Sequence, residues 1–123
     1  MKVHDLLTRD VITARTHDSV ETVRDRMAAN AIHALPILDG SGKAAGLVTS
    51  TDLLTSIPGD IPITDAMGEV FYEIHSHDDI AAAARLMVRH NIHHLVVLHD
   101  GEVAGILSSL DLVKLIADGK VAV

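Results

Sequence analysis

Apolar positions recur along this chain with the period of a helix and, between the helices, in short runs. From Asp18 the residues Val20, Val23, Met27 and Ala28 share one helix face, and from Asp78 the residues Ile80, Ala83, Ala84, Met87 and Val88 do the same. Asp18 and Asp78 are read as N-caps, because a carboxylate accepts the free amides of a first turn, and Asn30 and Asn91 suit the helix ends. Val11-Ile12-Thr13-Ala14 and Phe71-Tyr72-Glu73-Ile74 are strand candidates ahead of these helices. Apolar runs at 34–38 and 94–99 follow them, each ending in a turn, Asp39-Gly40-Ser41-Gly42 or Asp100-Gly101, of the kind that joins hairpin strands. Return strands are predicted at 44–48 and 103–107, after which Thr49 and Ser108 each open a closing helix.

The two halves are one pattern used twice. At an offset of 60, Asp5 matches Asp65, His17 matches His77, Met27 matches Met87, and Ile32-His33-Ala34-Leu35 matches Ile92-His93-His94-Leu95. After the hairpin turn the offset is 59, and Gly46-Leu47-Val48-Thr49-Ser50-Thr51-Asp52-Leu53 matches Gly105-Ile106-Leu107-Ser108-Ser109-Leu110-Asp111-Leu112. A length change of one residue falls in a turn, where it is tolerated. The repeats are placed at 1–56 and 63–123, with Ile57-Pro58-Gly59-Asp60-Ile61-Pro62 as the linker. A supersecondary unit present in two copies predicts an α/β (α+β) chain of two β-α-β-β-α repeats with pseudo-two-fold symmetry.

Composition narrows the chemistry. Apolar residues are 48% of the chain but aromatics only 2%, so the core is aliphatic. There is no cysteine, which removes disulfides, thiolate metal sites and thiol nucleophiles. A net charge of −7 argues against a nucleic-acid partner, whose phosphates need Lys and Arg. No apolar run has the length of a membrane span and the first residues are not a secretion signal, so a cytoplasmic protein without a membrane partner is expected.

The segments Leu35-Pro36-Ile37-Leu38-Asp39 with Gly46-Leu47-Val48-Thr49-Ser50-Thr51-Asp52, and Leu95-Val96-Val97-Leu98 with Gly105-Ile106-Leu107-Ser108-Ser109-Leu110-Asp111, resemble the CBS-domain family twice in register. The resemblance runs from about residue 3 to about residue 117, nearly the whole chain. It implies a tandem CBS pair, or Bateman module, with two clefts between the motifs that hold adenosine-containing ligands of the AMP, ADP and ATP class. It also implies a homodimer. With no fused domain in the sequence, the effector is expected to be a separate, unknown protein.

By that resemblance Asp52 and Asp111 receive the ribose hydroxyls, as a carboxylate can from a vicinal pair. Each also closes a Thr/Ser-x-x-Asp helix cap, so capping and binding both stand as readings. Thr49 and Ser108 begin a helix, where free amides and hydroxyls suit a phosphate or serve as caps, while Ser50 and Ser109 read as plain first-turn residues. His33, His93 and His94 occupy the place of the phosphate-facing basic pair of AMP-sensing relatives, but Arg is missing there. Half-buried strand-edge histidines are the alternative reading. Thr13 fits the family's adenine-contacting strand and Glu73, its counterpart, does not; Pro36 fits the start of the next strand and Val96 replaces it. The two clefts are therefore expected to be unequal.

A metal- or pH-responsive sensor on the same scaffold is the rival reading, since His75-x-His77 puts two imidazoles on one side of an extended segment and 90–94 is rich in histidine. No spacing fixes a full ligand set, so no metal site is assigned. A passive dimerisation module is the third reading. No phosphate-cradling loop or nucleophile elbow is present, so no enzyme activity and no required cofactor is expected; an adenine nucleotide would be a regulatory ligand.

Overall fold

The computed structural model describes residues 1–7, 10–54, 57–68 and 70–121. The sequence boundary placed at residue 56 lies outside these described residues. The first repeat contains β1 (Ala14–Arg15), α1 (Val20–Ala29), β2 (Ala34–Leu38) and β3 (Ala44–Thr49), and the second contains β4 (Glu73–His75), α2 (Ile80–His90), β5 (His94–His99), β6 (Glu102–Ser108) and α3 (Ser109–Ala117). Two three-stranded sheets result, β1-β2-β3 and β4-β5-β6, each with its first strand parallel and its last antiparallel to the central one. The architecture is the expected α+β repeat.

Three details depart from the sequence expectation. First, the helices begin one residue later than expected. Ser19 caps α1, its side chain accepting the Thr22 N–H at 3.1 Å, and Asp79 holds the cap position of α2. Asp18 and Asp78 instead accept the amides of Arg15 and His75, at 2.8 and 3.1 Å, closing the turn between strand and helix.

Second, the opening strands sit further along, and β1 is shorter than β4. In the second repeat the ladder begins with Glu73 opposite Val96, and the Val96 amide donates to the Tyr72 carbonyl at 3.0 Å. In the first repeat Pro36 stands where Val96 does and has no N–H to give, so the parallel pairing starts only at Ala14 opposite Ile37.

Third, among the described residues the closing helix forms only in the second repeat. Its counterpart is a single 3-10 turn, Ser50–Leu53, after which Leu54 is extended. Pro58 lies just beyond and disfavours helix at the residue before it, whereas Ser109 to Ala117 has no such stop.

Packing divides the chain differently from its repeats. One compact unit is Val11–Phe71; the other joins Met1–Asp10 to Tyr72–Val123. Each unit thus takes the leading segment of the opposite repeat. The leading 3-10 turn Val3–Leu6 buries Val3 completely in the core with Ile74, Met87, Leu95, Val97 and Leu107, while the turn Ile63–Asp65 buries Ile63 with Val20, Val23, Leu35, Ile37 and Val48. Full burial of such a side chain contributes about 1.5–3 kcal/mol.

The leading segments also satisfy helix amides. Carbonyls of Gly59 and Ile61, in the segment expected as a linker, accept the N–H groups of Glu21 and Val20 at 2.9 Å each. The Met1 carbonyl accepts from Ile80 at 3.1 Å, and the Lys2 ammonium meets the Asp79 carboxylate at 2.7 Å. That hydrogen bond holds the Asp79 carboxyl below its ordinary range and the Lys2 amine above its own.

Two glycines permit this close approach. A Cβ at Gly46 would lie 2.7 Å from the Met67 sulfur and 2.9 Å from the Gly68 carbonyl oxygen, and one at Gly105 would lie 2.9 Å from a Leu7 methyl. Residues 7 and 67 are repeat equivalents, so the same contact is made twice.

Candidate functional site

Each hairpin delivers its last strand residue to a turn that carries the Thr/Ser-x-x-Asp box. In the first repeat one oxygen of Asp52, Oδ2, accepts both the Thr49 N–H at 2.9 Å and the Thr49 hydroxyl at 3.2 Å. In the second, Asp111 Oδ2 accepts the Ser108 N–H at 2.8 Å, and Ser108 Oγ accepts the Asp111 N–H at 3.2 Å. Capping is therefore present at both. It occupies one carboxylate oxygen; Oδ1 of each takes no hydrogen bond among the described residues, and both side chains are half-buried.

The histidines that open the central strands stand across from these boxes. The Ser50 N–H donates to the His33 carbonyl at 2.8 Å, and the Ser50 hydroxyl lies 3.2 Å from His33 Nδ1. Ser109 repeats the arrangement with His93, at 2.8 Å and 3.4 Å. His33 and His93 are exposed, and His94 is half-buried at the start of β5. The fold therefore groups His33, Thr49 and Asp52 in one unit, and His93, Ser108 and Asp111 in the other. Ser50 and Ser109, which read as ordinary first-turn residues, turn out to tie the histidine to the box. Their matched positions in the two repeats were the available signal.

Thr13 and Pro36 lie at the short end of the first sheet. Pro36 is fully buried, and the Thr13 carbonyl accepts from Arg26 Nη1 at 2.8 Å. Just before Thr13, the Ile12 carbonyl is the equivalent of the Tyr72 carbonyl that Val96 satisfies, and Pro36 cannot supply that bond. In the second unit the exposed Glu73 takes the place of Thr13, and Tyr72 stacks on His90 with ring centres 3.9 Å apart. The two units thus differ here in strand pairing and in ring stacking.

A groove of about 310 Å³ in the first unit is lined by Arg24, Met27, Ile32, His33, Ser50 and Leu53, among others. Arg24 Nη2 donates to the carbonyls of Leu54 and Ile57, at 3.3 and 3.0 Å, while its buried Nε has no partner among the described residues. No three His, Asp or Glu donors among the described residues converge on a metal position, and no helix is long and apolar enough to cross a membrane.

The CBS domain model of protein families matches twice, over residues 3–59 and 59–118. The solved CBS domain pair of protein MJ0100, in complex with 5′-methylthioadenosine and S-adenosyl-L-methionine, is 27% identical, with a TM-score of 0.86 over 97% of this chain and 98% of that one. The CBS domain of a CBS-domain-containing membrane protein from Sphaerobacter thermophilus is 26% identical, with a TM-score of 0.84 over 94% of this chain and 87% of that one. Among curated sequences, a homoserine O-acetyltransferase of Methanocorpusculum labreanum is 32% identical over 89% of this chain. This chain spans only 23% of that enzyme, and 23% of an inosine-5′-monophosphate dehydrogenase from Korarchaeum cryptofilum that is 30% identical to it. The enzymatic names therefore belong to proteins several times longer than the matched region. Two matches in tandem, one on each repeat of a single topology, make the chain a member of the CBS-domain family, a tandem CBS pair.

Proposed function

We propose that the chain is a regulatory module that binds an adenosine-containing ligand and passes the binding on to a partner. One observation carries this reading. In both repeats the Thr/Ser-x-x-Asp carboxylate spends a single oxygen on its own cap, leaving the other for a ribose hydroxyl, with a histidine–serine pair fixed opposite. The MJ0100 pair, similar along its whole length, binds two adenosine-containing molecules, which supports the same ligand class here. The lack of Arg beside His33 and His93 favours ligands whose tail carries little negative charge, such as a thioether or sulfonium nucleoside or a monophosphate, over ATP.

Thermal melting with 5′-methylthioadenosine, S-adenosylmethionine, AMP and ATP tests this. A ligand at 100 times its dissociation constant adds about 2.7 kcal/mol, a rise of several degrees for a chain of this size. Asp52→Asn and Asp111→Asn separate the two roles. Asparagine still caps through its one oxygen but turns the other acceptor into a donor. The expected result is an unchanged melting point without ligand and a lost ligand shift in at least one variant. No shift with any of the four compounds sinks the reading.

We further infer that the chain pairs with a second copy through α3, the effector being a separate protein. Leu110, Val113 and Ile116 fall at three-residue spacing on that helix and are 57%, 56% and 49% exposed, which is costly for apolar side chains left in water. Sedimentation should give a dimer, and Val113→Glu a monomer with its fold intact; a monomeric parent chain rejects the inference.

A further inference from the structure

Four histidines of the second unit gather at one seam although they come from three separate pieces of chain. His4 lies on the leading turn, His75 at the end of β4, His77 in the turn after it, and His99 at the end of β5. Ring centres of His75, His77 and His99 are separated by 5.0, 5.3 and 6.2 Å, and His4 stands 5.6 Å from His77. Two imidazoles that share a tetrahedral metal ion, with metal–nitrogen bonds of about 2 Å, have ring centres about 5 Å apart.

Buried Ser76, between His75 and His77, organises the group. It is 1% exposed, its hydroxyl lies 2.7 Å from His99 Nδ1, and its carbonyl accepts the His4 backbone N–H at 2.9 Å and lies 3.1 Å from His4 Nδ1. A neutral His4 donates from Nδ1 to that carbonyl, which leaves a lone pair on Nε2. That atom is 3.3 Å from an Asp5 carboxylate oxygen, and His99 Nε2 is 3.4 Å from one of Asp100. With Nδ1 as the protonated nitrogen of a neutral ring, each pair sets acceptor against acceptor and a shared cation relieves it; for His99 that tautomer has Nδ1 donating to the Ser76 hydroxyl. A ring nitrogen held by an outer hydrogen bond, with the other nitrogen left as donor, is the common state of a metal-ligating histidine.

Repeat symmetry does not account for the cluster. The equivalent positions of the first unit, Val11–Phe71, hold Thr64, Arg15, His17 and Asp39.

We propose that His75, His77 and His99, with His4 as fourth ligand, bind one borderline divalent transition-metal ion such as zinc or nickel, fastening the leading segment to the second unit. Imidazole donors favour those ions over magnesium or calcium, which prefer oxygen. In the present ring orientations no three donors converge, so binding turns the rings inward, and His75 gives up the bond its Nδ1 accepts from the His77 amide at 3.1 Å. His4, His77 and His99 are exposed and His75 is half-buried, which leaves room for that rotation.

Calorimetric titration of the untagged full chain with zinc chloride, in the absence of nucleotide, tests the site independently of the adenosine reading. One zinc per chain is expected, with magnesium inert. His77→Ala and His99→Ala should each weaken zinc binding by about tenfold or more. His17→Ala, the exposed equivalent of His77 in the first repeat, should bind as the parent does. Zinc should also slow amide exchange of Val3 and His4 in the parent and not in His99→Ala. Absence of zinc binding by the parent overturns the proposal, as does parent-like binding by both His77→Ala and His99→Ala.

Discussion

At the scale of single residues, Gly46 and Gly105 show how little side chain the fold tolerates where a leading segment crosses a sheet. Their surroundings differ in one respect that predicts unequal costs. A methyl at Gly46 meets a backbone oxygen at 2.9 Å as well as the Met67 sulfur, whereas at Gly105 it meets only the end of the Leu7 side chain. Overpacking of this kind costs about 1–3 kcal/mol when nothing can yield. Gly46→Ala is therefore expected in that range and Gly105→Ala below about 1 kcal/mol, since a flexible side chain can rotate away. Denaturant melts of the two variants check the order; equal losses would mean that Leu7 is as tightly held as the Gly68 backbone.

The same scale shows what the sequence could disclose about the candidate site. Asp52 and Asp111 are identified by a motif that is local, three residues from cap to acid, and local geometry follows from local sequence. Pairing of His33 with Ser50 and of His93 with Ser109 spans a whole hairpin. It becomes visible only when the register is known. The gathering of His4, His75, His77 and His99 was out of reach for a stronger reason. It depends on which sheet receives the first residues of the chain, and no periodicity encodes that.

At the scale of elements, apolar runs bounded by turn residues located β2, β3, β5 and β6 to within a residue. Antiparallel hairpins are set by their own turns. Asp100 and Gly101 both have positive φ, 51° and 83°, which matches the strand twist, and Asp39 Oδ1 gathers the Ser41 hydroxyl and the Ser41 and Lys43 amides at 2.6, 2.8 and 3.1 Å. These bonds, that from the Ser41 hydroxyl foremost, hold the Asp39 carboxyl below its ordinary range. Opening strands β1 and β4 were misplaced because a parallel strand takes its register from a distant partner. Pro36 decides where β1 can begin, and its missing N–H acts on a residue more than twenty positions earlier. Helix starts were misplaced by one position for a similar reason. Asp18 and Asp78 are good capping residues, but each is used to close the preceding turn.

At the scale of the whole molecule, repeat boundaries and packing boundaries are out of step. A fragment cut at the repeat, residues 1–56, keeps β1, β2 and β3 but loses Ile63, which is fully buried against them, and the Gly59 and Ile61 carbonyls that cap α1. The fragment Val11–Phe71 retains all of these. It is expected to unfold cooperatively in urea, with dispersed amide resonances, while 1–56 gives a featureless transition. Comparable behaviour of the two would show that the leading turn adds little to the unit that receives it.

The exchange of leading segments also orders events while the chain is being made. Once Phe71 has left the ribosome, the first unit has its sheet, its helix and the turn that closes its core. The second unit is in the opposite position. Its closing turn precedes the strands and helices it packs on, and Val3 must wait until β6 has been added before its core is complete. Val3 is thus made early and enclosed late, and a nascent chain carries that apolar side chain bare while residues 4 to 107 are added.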